Sequence, residues 1–227
     1  MAHQVKLPVS TAHRLLSTLQ HENFVRYDAE RGVWLVGVQS FVVGCAFLRS
    51  RELTAIARPL MQELMERSGE TVNLAVEEGG EVVYMAQAEC RQTMRAIARP
   101  GGRAAMHASA LGKALLAAMP EADVKRITAQ RGLPAITEKT ITAAEALRAE
   151  LKLIRTRHFA IDDEENAPGL RCVAAAIFDE HARPVAAVSL SGPSVRITHE
   201  LLPGLGDLVR RTAAQITSRL GGRCAAD

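Results

Sequence analysis

The sequence predicts an α+β chain in two parts, a small helix-and-hairpin module followed by a larger domain of sheet and helices. Three observations carry that prediction. An amphipathic helical pattern after the Leu7-Pro8 turn is followed by two short β-type runs. Residues 38–50 are apolar almost all round. Beyond them, six β-type runs are interleaved with helical stretches, the pattern of an α+β domain.

In the first helix, Ala12, Leu15, Leu16 and Leu19 fall at i, i+3, i+4 and i+7 and gather into one stripe. The other face carries Ser10, Thr11, His13, Arg14, Ser17 and Thr18, side chains that suit phosphate oxygens and base edges in a major groove. The β-type runs at residues 24–27 and 33–36 are joined by the polar turn Asp28-Ala29-Glu30-Arg31-Gly32. A helix followed by a hairpin is the layout of a winged helix-turn-helix, with Ser10, Thr11, His13, Arg14 and Ser17 as its DNA-contacting candidates. Charge adds little. Lys6, Arg14, Arg26 and Arg31 stand against Glu22, Asp28 and Glu30, far from the strongly basic footprint of a self-sufficient DNA module.

Residues 38–50 hold Val38, Phe41, Val42 and Cys45 on one stripe, with Val43, Ala46, Phe47 and Leu48 covering much of the rest. A helix without a polar face must be buried on several sides, and the same helix of a second subunit is the readiest partner. Burial within one chain is the alternative.

The next helix is expected at residues 53–68, with Pro59 marking a bend or its true start and Gly69 its stop. Strands are expected at residues 71–76, 81–88 and 93–98, then helices at 109–119 and 121–130. Thr142 is expected to cap a helix at 143–157. Strands at 159–162, 172–178 and 185–191 follow. A last helix within 200–220 is expected to turn Leu201, Leu205, Leu208, Ile216 and Leu220 inward.

The chain of 227 residues is 48% apolar, enough to bury a substantial core, and its net charge of +3 does not by itself point to nucleic acid. Cys45, Cys90, Cys172 and Cys224 are dispersed, with no zinc-type spacing, so reduced thiols in a cytoplasm are expected and no metal or cofactor is. No export signal is evident, and the longest apolar stretch is interrupted and short of the roughly 20 residues that span a bilayer. No membrane partner is expected.

A candidate ligand site starts at Ser189 and Ser191, two apart on an expected strand and therefore on one face of it. Their hydroxyls suit a carboxylate. Small residues at Ser109-Ala110-Leu111-Gly112 open a helix whose free N–H groups form an anion cradle, a role compatible with capping by Ser109. Asp162, at a strand end, can accept hydrogen bonds from a hydrated aldehyde or hydroxy group at the ligand's other end. Glu164 and Glu165 beyond it are read as a solvated loop.

The Leu7-Pro8-Val9-Ser10-Thr11 turn, Met106-His107-Ala108-Ser109-Ala110-Leu111-Gly112-Lys113-Ala114, Asp162-Asp163-Glu164-Glu165, Gly169-Leu170-Arg171-Cys172 and Ser189-Leu190-Ser191-Gly192 together resemble the IclR family of bacterial transcription regulators. The likeness covers nearly the whole chain. It implies a GAF-like antiparallel sheet and a ligand-responsive regulator that binds double-stranded operator DNA as a homodimer or dimer of dimers. It places Ala110, Leu111, Asp162, Leu170, Cys172, Ser189 and Ser191 in the effector pocket of members that sense small 2-oxoacids such as glyoxylate or pyruvate. Those members tend to have Gly-Ala where this chain has Ala110-Leu111. Family members also carry two helices upstream of the Leu-Pro turn, whereas six residues precede Leu7, so the first helix is expected to be missing.

The expected domains are a partial winged module at residues 1–36, a linker helix at 37–51, an effector domain at 52–222 and a tail at 223–227. A stand-alone sensor without DNA binding is the alternative. A hydrolase using Cys172 or Ser109 with His107, His158 or His181 is a further one, without a nucleophile elbow to support it.

Overall fold

A computed structural model describes residues 7–50, 52–96 and 98–223, with backbone alone at 45–50 and 52. The chain divides into two compact units, Met1–Arg51 and Glu52–Asp227.

In the first unit, α1 (Val9–His21) follows Pro8, whose carbonyl accepts from the Ala12 N–H at 3.0 Å. Ala12 is buried and Leu16 half-buried, while Leu15 and Leu19 are exposed. The chain leaves α1 through Asn23, in the left-handed region at φ 59°. Strands β1 (Val25–Asp28) and β2 (Val33–Val36) then pair antiparallel as the wing, with Tyr27 opposite Trp34. Gly37 begins the exit. Its N–H donates to the Phe24 carbonyl at 2.8 Å, and a Cβ there would collide with the Asn23 backbone. The Gln39 N–H and Ser40 hydroxyl donate to the Asn23 and Phe24 carbonyls at 3.0 and 2.8 Å, which ties the start of α2 (Val38–Ser50) to the root of the wing. Val38, Phe41, Val42 and Val43 are exposed within the single chain. The side chains of Cys45, Ala46, Phe47 and Leu48 lie outside the described residues, as does Cys224.

The second unit is a six-stranded sheet with helices on both faces. Its strands are β3 (Thr71–Glu78), β4 (Glu81–Ala88), β5 (Arg103–Ala105), β6 (Ala160–Asp163), β7 (Leu170–Phe178) and β8 (Pro184–Pro193). They lie in the order β5-β4-β3-β8-β7-β6, every neighbour antiparallel. Period-2 alternation sorts the side chains. Val72, Leu74, Val173, Ala175, Val188 and Leu190 face α3 (Glu52–Ser68) and α7 (Leu202–Arg219). Ala75, Cys172, Ala174 and Ala187 face α4 (Ala110–Ala118), α5 (Glu121–Arg131) and α6 (Ala144–Arg157).

Several expectations need correction. Helix α3 runs through Pro59 without starting there. No strand forms among the described residues of 93–98; Ile97 lies outside them, and the edge position beside β4 is taken by the three-residue β5. Thr142 does not cap α6, because the helix begins one residue later, with Ala143 as an N-cap that offers no side-chain acceptor. On α7 the expected Ile216 is buried and Leu205, Leu208 and Leu220 pack half-buried against the same core, joined by the buried Leu202, Val209 and Ala213. Leu201 is exposed on a 3-10 turn at His199–Leu201, so the stripe is offset by one residue at its start. Among the described residues, no helix is long and apolar enough to cross a membrane.

Candidate functional site

The antiparallel register sets one row of polar side chains across the sheet. Asp162 on β6 sits opposite Cys172 on β7, which sits opposite Ser191 on β8. Ser189, on the same face of β8, lies between Ala174 and Asn73 on its two neighbours. The N-terminus of α4 covers this face. Gly112 lets the turn before α4 fold tightly onto the helix, since a Cβ there would run into the Met106 backbone. Ser109 caps the helix, its hydroxyl oxygen accepting from the Gly112 N–H at 3.1 Å and its O–H donating to the Ala105 carbonyl at 2.9 Å. The N–H groups of Ala110 and Leu111 make no hydrogen bond among the described residues, as expected for the first turn of a helix.

Between α4 and the sheet lies a cavity of about 330 Å³. Ala110, Leu111, Asp162, Leu170, Cys172, Ser189 and Ser191 all line it. Sequence reasoning did not single out Asn73, Tyr84, Arg99 or Asn166, which line it too. Asn73 looks like any polar residue of a strand, and Arg99 falls just past the strand expected at residues 93–98.

The polar groups are unequally satisfied. The Ser189 hydroxyl oxygen is buried without a partner among the described residues. The Ser191 oxygen accepts from the Asn73 side-chain amide at 3.2 Å, and the Asn73 carbonyl oxygen accepts from Gln87 at 2.8 Å. Asp162 is 1% exposed, and its Oδ1 accepts from the Glu165 and Asn166 N–H groups at 2.8 and 3.2 Å. Burial pushes its carboxyl up to about 7, outweighing the two amides that pull it down. Burial, and next the Asp162 charge, push the Cys172 thiol well up, so this cysteine stays a neutral thiol. The cavity thus offers the unspent N–H groups of Ala110 and Leu111 and the Ser189 hydroxyl as donors, and the Asp162 carboxyl as an acceptor.

The reading of Glu164 and Glu165 as a solvated loop is overturned. Glu165 is buried against Lys113 of α4, and Glu164 is half-buried and paired with Lys139 at 2.8 Å. The signal was available: Lys113 is the only charged residue in the otherwise apolar helix Ala110–Ala118. For the hydrolase alternative, Ser109 is spent on capping, His107 Nε2 lies 3.0 Å from the Pro134 carbonyl oxygen, and His181 is exposed beside Glu180.

On α1, Ser10, His13, Arg14 and Ser17 are exposed and Thr11 is half-buried. The His13 ring meets Trp34 of β2 edge-on at 6.4 Å, and the Ser17 hydroxyl lies 3.4 Å from His13 Nδ1. Arg14 makes no ion pair among the described residues.

The family profile described as Bacterial transcriptional regulator IclR C-terminal matches residues 45–218, and that described as IclR helix-turn-helix domain matches residues 1–29. The chain is 45% identical over 224 residues to Transcriptional repressor IclR of Escherichia coli (strain K12), covering 98% of this chain and 82% of that protein. It is 46% identical over 224 residues, with the same coverages, to the Acetate operon repressor of Salmonella typhimurium. The crystal structure of the Thermotoga maritima IclR superposes with a TM-score of 0.79 at 33% identity, over 97% of this chain and 89% of that one.

Proposed function

This chain belongs to the IclR family of bacterial transcriptional regulators, and from that premise we propose that it represses transcription under the control of a small carboxylate. It is a DNA-binding regulator and not an enzyme. The relatives named above are repressors, which supports the same sign of action here. In this reading the exposed face of α1, with Arg14 as its one permanent cation, enters the major groove, while the wing lies alongside. The exposed Val38, Phe41, Val42 and Val43 on α2 support pairing of two chains, which places two readers on two half-sites.

The effector is a 2-oxoacid of the size of glyoxylate or pyruvate. The observation that carries this is the buried, unpartnered Ser189 hydroxyl beside the unspent N–H groups of Ala110 and Leu111, a set of donors that a carboxylate would satisfy. At the ligand's other end, Asp162 accepts from the hydroxyls of a hydrated aldehyde. Calorimetric titration with glyoxylate, pyruvate and an aromatic acid tests the proposal. Replacing Ser189 and Ser191 together by alanine removes charge-assisted bonds worth roughly 1.5–3 kcal/mol each, so binding should weaken about tenfold or more. Heat only with the aromatic acid would refute the ligand class, and normal binding by the double variant would refute the site.

A further inference from the structure

Lys113 is an unusual residue to find fully buried: its side chain is 1% exposed, on a helix otherwise made of alanine, leucine and glycine. Its ammonium is bonded to Glu165 Oε1, with Glu150 of α6 at 3.9 Å and Glu150 in turn held by Arg157 at 2.6 Å. Glu165 is fixed from its backbone as well. Its carbonyl oxygen accepts from the Thr140 and Thr137 hydroxyls at 2.7 and 3.2 Å, and its N–H donates to Asp162 Oδ1. Its second carboxylate oxygen is buried with no partner among the described residues.

A buried ion pair gains little stability over well-packed apolar side chains, and a half-satisfied one gains less. Its worth is geometric. Helix α4 carries both Lys113 and the cavity-facing N–H groups of Ala110 and Leu111. The loop after β6 carries Glu165, together with the N–H groups that aim Asp162. The pair therefore joins the donor wall of the cavity to its acceptor wall.

We propose that Lys113 and Glu165 are positioning residues, a strut that sets the distance between the cavity's N–H donors and Asp162 and so selects ligands that touch both. This rests on the effector reading above. A ligand with a carboxylate alone needs one wall, whereas one with a carboxylate and a hydrated aldehyde needs the spacing between two. The strut thus acts on selectivity and not on affinity in general.

NMR titration of the full chain with glyoxylate, which spans both walls, and with acetate, which reaches only one, separates these roles. In Lys113→Met and Glu165→Gln, glyoxylate binding should weaken by about tenfold, the weight of one charge-assisted hydrogen bond, and acetate binding by less than about twofold. Equal losses for both ligands, or no loss for either, would overturn the strut. Hydrogen exchange of the wild-type chain gives a measure that does not depend on the variants folding. Glyoxylate should slow exchange at the Glu165 and Asn166 N–H groups and acetate should not; protection by both or by neither counts against the proposal. Failure of the wild-type chain to bind glyoxylate would overturn the effector reading and the strut together.

Discussion

The Asn73 side-chain amide donates to the Ser191 hydroxyl oxygen at 3.2 Å, whereas the Ser189 oxygen, two residues along the same strand face, is buried with no partner among the described residues. One hydroxyl is part of the sheet's own hydrogen bonding. The other is not.

The two serines should therefore respond differently to alanine. Ser191→Ala orphans a buried Asn73 N–H and should cost about 1–3 kcal/mol, whereas Ser189→Ala removes a group already unsatisfied and should leave stability unchanged or raised. Urea unfolding of both variants without ligand checks this. Equal losses would mean that Ser189 has a partner in solution.

Asp162 makes stability depend on pH. Between its ordinary 3.8 and about 7 the folded state keeps a proton that the unfolded chain has released. The associated stability is thus fully present below the ordinary value and is lost as pH rises through about 7, at about 1.4 kcal/mol per unit over that window. Asp162→Asn should flatten the fall, which denaturant titrations from pH 5 to 8 would read. Glyoxylate affinity in the wild-type chain should rise over the upper part of the same range, because the ionised carboxyl is the better acceptor for the ligand's hydroxyls.

Exposed valines and a phenylalanine along α2 predict an association surface. Asp substituted at Phe41 and Val42 places uncompensated charge there and should dissociate the assembly. Light scattering with circular dichroism is the check, and a folded variant of unchanged mass would remove the surface from consideration.

Arg14 and His13 should separate in gel shifts on the promoter beside the chain's own gene. Arg14→Ala loses a phosphate or bidentate guanine contact, the latter roughly 1–3 kcal/mol of base discrimination. His13 packs against Trp34, so His13→Ala should lower the melting temperature of the winged unit as well as DNA affinity. Unaltered binding by Arg14→Ala would mean that α1 is not the reader.

Legibility in the sequence followed the length of each pattern. The wing, α2 and the long strands β4, β7 and β8 announce themselves because alternation or apolar periodicity persists over several residues. The three residues of β5 are too few to show a period, and the β-type composition of residues 93–98 misleads because pairing partners, not composition, decide which segment joins an edge. The serine pair was visible from its spacing, but Asn73 was not, since its role comes from strand β3 lying beside β8, more than a hundred residues away in sequence. Glu165 was misread because an acidic run looks solvated until the one lysine of α4 is brought beneath it.

The wing root has a mechanical corollary. Gly37, Gln39 and Ser40 bind the start of α2 to the backbone of Asn23 and Phe24, and no side chain larger than hydrogen fits at Gly37. There is no swivel at that point. Helix α2 is thus coupled to the wing at its first turn, so a twist applied at that turn is passed to the hairpin.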